Sequence, residues 1–269
     1  MQIYYTMSIT LILILVISGL FVGFINTLSA GGTVISIALF LALGMPANAA
    51  NATNRVQVLI QSFSASLLFK QKKLIENRRI IQLAIPTMIG AIVGSVFASL
   101  IEQNLFPYFM GTILLIMIVF MFYKPKLLFE DNPQKADKPL TLINYLAFFA
   151  IGVYGGFIQV GTGYFLILAS SMMLGYDLIK TSALKVSVMF LYTIVAICIF
   201  MLDSKIYWTY GLLHSLGGVV GSWIATKFAL KKGANFVRWV IIVVIILTAL
   251  NLFGIIDPKP FFNQLLSAK

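Results

Sequence analysis

The chain has 269 residues, of which 60% are hydrophobic and only 10% charged, with a mean hydropathy of +0.99. Soluble domains carry about 45–50% apolar and about 25% charged residues, so a water-soluble fold is excluded and an all-α polytopic membrane protein is implied, each helix supplying about 20 apolar residues to cross about 30 Å of hydrocarbon. The net charge of +11 is concentrated in short connections, where it reads as topology under the positive-inside rule rather than as a nucleic-acid surface.

The first apolar run, Ile9–Leu28, has no basic residue before it and no cleavage pattern, and reads as a membrane segment rather than a removed signal peptide. A break at Ser29-Ala30-Gly31-Gly32-Thr33 follows. The next run, 34–43, is too short to span alone and is closed by Gly44-Met45-Pro46. Runs 51–69, 80–101 and 105–123 come next, and then a polar, proline-bearing linker over 124–140 that is expected in the cytoplasm. The second part reads 140–158, a break at Gln159-Val160-Gly161-Thr162-Gly163, a short run 164–174 closed by Gly175-Tyr176-Asp177, then 179–202, 207–228 and 236–256, with a tail over 257–269.

The order of elements repeats, and so does local sequence. Phe24-Ile25-Asn26 matches Phe157-Ile158-Gln159, Arg55-Val56 matches Lys185-Val186, and GAIVGS at 90–95 matches GGVVGS at 217–222, with offsets of 133, 130 and 127 residues. A diverged duplication is implied, repeat 1 over 1–123 and repeat 2 over 141–256. Equivalent loops carry opposite charge: 70–79 holds five basic residues while its counterpart 203–205 is neutral, and 227–238 holds four while 101–106 holds none and contains Glu102. The two repeats are therefore expected in inverted topology, each beginning with a broken helix pair, with both termini outside. Each repeat then crosses an odd number of times, five if the broken unit spans and three if it is re-entrant.

Glycine-rich breaks at matching places in inverted halves point to a binding site, because irregular backbone at membrane depth must line a cavity or lie inside protein. Asn26, Ser29, Gly31, Gly32 and Thr33 form the first candidate cluster and Gln159, Gly161, Thr162 and Gly163 the second. The short helices that start there direct free N–H groups and a positive dipole end at an anion; the alternative is that the glycines only let helices cross closely. Arg55 and Lys185 stand at equivalent places in the following helices. Each is either an anion ligand or a side chain snorkelling to headgroups, with an ion pair to Asp177 a further reading for Lys185. Asn54, Gln57 and Gln61 share a helix face, and Ser182 and Ser187 accompany Lys185; such polar stripes serve as a pocket or as glue between helices. His214 is either a proton relay or satisfied by a nearby hydroxyl.

At these residues the chain resembles the TauE/SafE family of membrane transport proteins. The resemblance rests on the Gly23-Phe24-Ile25 to Gly32 opening, the Gly44-Met45-Pro46 closure, the Ala52-Thr53-Asn54-Arg55-Val56 helix start, and the recurrence of the scheme at 155–163, Gly175 and Lys185-Val186, with variation at 154–163. It covers essentially the whole chain. What it implies is an exporter of small oxyanions or sulfonates built from two related halves.

The expected function is thus a secondary transporter, an exporter of a small anion such as sulfite or an organosulfonate, across the cell membrane of a prokaryote. A passive anion pore is the alternative. An enzyme is not expected, since a lone histidine without an intramembrane carboxylate pair makes no catalytic constellation, and no nucleotide-binding loop is present. The single Cys198, in an apolar run, excludes an intramolecular disulfide, a cysteine-based zinc site and an iron–sulfur cluster. No metal or cofactor is expected. The partners are the anionic substrate and the lipid bilayer, with a homo-oligomer left open.

Overall fold

A computed structural model describes residues 8–28, 31–101, 139–202 and 206–252, with side chains as far as 231 in the last stretch. All regular structure among them is helical: α1 (Ile9–Leu28), α2 (Gly32–Ala42), α3 (Ala47–Lys70), α4 (Asn77–Leu100), α5 (Leu142–Phe157), α6 (Thr162–Leu174), α7 (Leu178–Leu202) and α8 (Trp208–Leu252). Among the described residues, α1, α4 and α7 are long and apolar enough to cross a membrane. The predicted run 105–123, linker positions 124–138, the tail, and the loop residues 102–106 and 203–205 lie outside the described residues.

The helices turn apolar side chains outward as well as inward, and bury most of the polar ones alongside an apolar core, unlike a soluble fold. Along α1, Ile9, Leu13, Ile17 and Phe21 recur every fourth residue on an exposed stripe. Its opposite face, with Leu11, Leu15, Gly19 and Val22, is buried. The polar helix is α3, which buries Asn48, Asn51, Asn54, Arg55, Gln57 and Gln61.

Boundaries follow local chemistry. α3 begins at Ala47 rather than 51 because Pro46 occupies its N-cap, where a missing N–H and a fixed φ do no harm. Gly161 and Gly175, at φ 72° and 65°, take the left-handed conformation on either side of α6, where a Cβ would be strained. The sequence places a connection at 227–238 between two spans, but one helix of 45 residues runs from Trp208 to Leu252, about 67 Å at 1.5 Å per residue. Lysine and alanine favour helix and Gly233 alone costs about 1 kcal/mol, so no residue in that stretch is a strong stop.

α1 packs along α8, and α4 along α5, with α3 and α7 between these pairs. Ala50, Ala52 and Val56 near the start of α3 share a core cluster with Ile197 and Phe200 near the end of α7. Ala65 and Phe69, near the end of α3, cluster instead with Leu178 and Ala183 at the start of α7. The two central helices therefore run antiparallel. Glycines let the outer pairs touch backbone to backbone, and the touches recur at the offsets of the sequence repeat. A Cβ on Gly19 or Gly23 would collide with the carbonyls of His214 and Gly218, as one on Gly152 or Gly156 would collide with those of Thr87 and Ala91. Weak Cα–H···O contacts and dispersion replace the hydrophobic drive that lipid does not supply.

Candidate functional site

At both breaks a polar residue at or just past the end of one helix catches the start of the next, through its side chain at the first break and through its backbone carbonyl at the second. At the first, Asn26 in the last turn of α1 accepts the Thr33 N–H through Oδ1 at 3.0 Å, and its Nδ2 lies 3.2 Å from Thr33 Oγ1. Gly31 is the N-cap of α2, and Gly32 opens its first turn with 2.8 Å between a would-be Cβ and the Val22 carbonyl. Ser29 lies outside the described residues. At the second break, Gln159 sits at φ 61° and its carbonyl accepts both the N–H of Thr162, at 3.2 Å, and its hydroxyl, at 2.9 Å. Gln159 Nε2 donates to Thr193 Oγ1 on α7 at 3.3 Å. Gly161 caps α6, and Thr162 and Gly163 form its buried first turn.

The two basic residues neither snorkel nor pair with Asp177. Arg55 and Lys185 are both 0% exposed. Arg55 donates from Nη1 to the Gly155 carbonyl at 3.0 Å and from Nη2 to the Gly156 carbonyl at 2.6 Å, with Phe157 O at 3.4 Å, and its guanidinium lies over the Phe200 ring. Lys185 Nζ donates to the carbonyls of Asn26 and Thr27 at 2.9 and 2.7 Å. Each basic side chain thus closes the open carbonyl end of the first helix of the opposite half, where the negative pole of the helix favours a cation. Asp177 Oδ1 is occupied elsewhere, accepting the N–H groups of Ile179 and Lys180 at the start of α7.

α7 reaches both breaks, and α3 reaches the second and packs beside α8 near α1. From α3, Asn51 joins Arg55 at the end of α5, donating to Phe157 O at 3.0 Å, while Gln57 lies against Gly218 of α8, the same glycine that meets Gly23 of α1. From α7, Lys185 serves the first break and Thr193 the second. Gln57 Nε2 donates to Gln61 Oε1 at 2.7 Å. Ser182 and Ser187 turn back onto carbonyls of their own helix, so neither offers its proton to the site. His214 is held between Leu15 O, 2.9 Å from Nδ1, and Ser36 Oγ, 2.9 Å from Nε2. That arrangement places the proton on Nδ1 and leaves Nε2 accepting.

Several polar atoms sealed in this region have no partner: both amide atoms of Asn54, Asn51 Oδ1, Asn48 Nδ2, Gln57 Oε1, Gln159 Oε1 and Arg55 Nε. Native interiors leave few such groups, each costing about 1–3 kcal/mol. They cluster on α3 and at the second break. Among the described residues the buried set also contains two basic side chains and no aspartate or glutamate. An interior with that balance favours an anion.

Three residues of this region were not singled out by sequence reading. Asn48 and Asn51 extend the stripe of Asn54, Gln57 and Gln61 toward the start of α3, and their spacing of three signals it once Pro46 is taken as the cap. Tyr192, 0% exposed, sets its hydroxyl against Gly155 beside Thr162, and that buried hydroxyl too has no hydrogen-bond partner; inside an apolar run it looks like any packing aromatic.

The chain is 29% identical to a "Probable membrane transporter protein" of Haemophilus influenzae over 236 residues, 88% of this chain and 92% of that one. It is 26% identical to the "Probable membrane transporter protein ORF9" of a Sinorhizobium species, covering 92% and 94%. Against the "Probable membrane transporter protein YfcA" of Escherichia coli K12 it is 27% identical, covering 82% of each. No solved structure matches. The family model described as "Sulfite exporter TauE/SafE" matches residues 15–252, a span that holds both breaks together with Arg55 and Lys185, and the chain belongs to the TauE/SafE family of membrane transport proteins.

Proposed function

We propose that the protein is a multi-pass secondary transporter of the prokaryotic cell membrane that exports a small anion such as sulfite or an organosulfonate. The observation that carries this reading is the interior charge balance among the described residues, two buried basic side chains without a buried carboxylate, next to buried polar atoms that have no partner. The anion lies between the breaks, against α3 and α7. It takes hydrogen bonds from Arg55 Nε and the Asn54 amide, with Gln57 and Gln159 orienting it. Lys185 and the first turns of α2 and α6, at Gly31, Gly32, Thr33, Gly161, Thr162 and Gly163, supply positive potential from behind. Asn26 shapes the first opening, and Ser29 is assigned to the same site from its place in the sequence. The two repeats act in inverted orientation, and one helix group rocks against the other to alternate access.

The test is flux in proteoliposomes loaded with radiolabelled sulfite or small sulfonates. A transporter gives saturable flux that accelerates under a proton gradient and is competed by other sulfonates. Flux that rises linearly with concentration and ignores the gradient identifies a pore instead. No flux of any sulfur oxyanion or sulfonate, with thermal stabilisation by a different anion class, overturns the substrate assignment.

A further inference from the structure

A second site stands apart from the breaks, at the end of the molecule where the 70–79 connection joins α3 to α4. A cavity of about 290 Å³ opens there between the last turns of α3, the first turns of α4 and the face of α7. Its lining is mostly apolar, chiefly Phe69, Ile80, Ile81, Phe190 and Leu191 with a few small polar side chains among them, and Lys70 belongs to it too. The space is about ten times the share of one water molecule, and so largely apolar a lining suits a hydrocarbon segment better than a bare or hydrated ion. On the flank, Phe63, Leu67 and Ile81 are 45%, 46% and 53% exposed, so the cavity opens sideways onto the surface that faces hydrocarbon.

Its mouth is strongly positive. Lys70, Lys72, Lys73, Arg78 and Arg79 flank it and Glu76 is the single acid in that stretch. Arg78 and Arg79 lie in the first turn of α4, whose N-cap is Glu76, so at this helix start two basic side chains stand against one carboxylate and the positive pole of the helix adds to their side. A mostly apolar trough that ends at a connection with five basic residues and one acidic one matches one class of molecule, in which a hydrocarbon chain is joined to an anionic head.

We propose that this cavity binds an anionic phospholipid, with an acyl segment along Phe69, Ile80, Ile81, Phe190 and Leu191 and the phosphate seated at Lys70. Charge complementarity selects the anionic lipid over a zwitterionic one, since each basic residue at such a surface contributes about fivefold in affinity. The apolar walls select a lipid over free phosphate. The site is independent of the transport reading.

The experiment is native mass spectrometry of the full chain in mild detergent, titrated with phosphatidylglycerol or with phosphatidylcholine of the same acyl chains. The expected result is at least fivefold stronger retention of the glycerol lipid. Lys70→Gln should reduce that retention about fivefold and leave phosphatidylcholine unchanged, whereas Ser66→Trp, which fills the trough, should reduce both. Ile81→Trp, placed from the lipid side, gives the same reading should Ser66→Trp fail to fold. Equal retention of the two lipids overturns the proposal, as does full retention by both tryptophan variants. Displacement of the lipid by millimolar inorganic phosphate overturns it too, assigning Lys70 to a soluble anion.

Discussion

Replacing Arg55 by lysine separates the two things its guanidinium can do in this fold. Nη1 and Nη2 close the end of α5 at 3.0 and 2.6 Å, while Nε has no partner and is the atom assigned to the anion. The closing task is within reach of a lysine, because Lys185 performs it on the equivalent carbonyls of α1 at 2.9 and 2.7 Å. The Nε–H bond is not, since an ammonium held on those carbonyls has no second donor directed sideways. Arg55→Lys should therefore keep the unfolding temperature within about 2–4 °C of wild type, the equivalent of about 1 kcal/mol. It should lose one charge-assisted hydrogen bond to substrate worth about 1.5–3 kcal/mol, which raises the half-saturation concentration about 10- to 150-fold. Arg55→Gln loses the closure as well, and removing one partner from a buried charged contact costs about 3–5 kcal/mol. Its unfolding temperature should fall by roughly 6–20 °C. Proteoliposome flux against concentration and fluorescence-detected thermal unfolding in detergent read the two effects separately. Wild-type half-saturation in Arg55→Lys would refute the ligand assignment and confine Arg55 to closing α5.

Other outcomes follow from the same geometry. Asn54→Leu removes two buried polar atoms without partners and should raise stability by about 1–3 kcal/mol while abolishing transport; a destabilised variant with intact flux would contradict the site. Gly32→Val meets the Val22 carbonyl at 2.8 Å and Asn26 Oδ1 at 3.0 Å, so transport should be lost with membrane insertion unchanged, measured by flux and by surface expression. Gly23→Leu forces α1 off the Gly218 carbonyl and should lower the unfolding temperature about as much as Gly156→Leu does at the equivalent contact; a large inequality would argue against matched packing of the two halves. In a Cys198-free background, a cysteine within 70–79 should be shielded from an impermeant thiol reagent in intact cells and one at position 102 labelled, and equal labelling would sink the inverted orientation.

Much of the helical layout was legible because glycine, proline and hydropathy mark it. Ile9–Leu28 is the same segment in sequence and structure, and the breaks fall where glycines interrupt apolar runs. What a linear pattern does not carry is which groups meet. The duplication makes Arg55 and Lys185 equivalent, but nothing local says that each closes a helix of the opposite half, because that depends on α3 and α7 lying antiparallel between the outer pairs. The basic stretch at 227–238 was misleading for a related reason. Charge marks a membrane boundary, yet a helix can run straight through one when no proline or cap stops it. The polar stripe shows how far the halves have diverged. Asn48, Asn51, Asn54, Gln57 and Gln61 on α3 correspond, at an offset of 130, to Leu178, Thr181, Leu184, Ser187 and Leu191 on α7, so the amides stand on one copy alone, while the other holds the breaks through Lys185 and Thr193.

The pairing of α1 with α8 has a consequence for biogenesis. α1 ends at Leu28 and α8 starts at Trp208, so during synthesis the glycine face of α1 lacks its mate until some 180 residues more have been made, a delay of roughly 10–40 s at about 5–20 residues per second. Through that interval the end of α1 also waits for Lys185. The nascent first half must be sheltered by the insertion machinery or by lipid until its complement arrives, and separately expressed halves should accumulate only when both are made in the same cell.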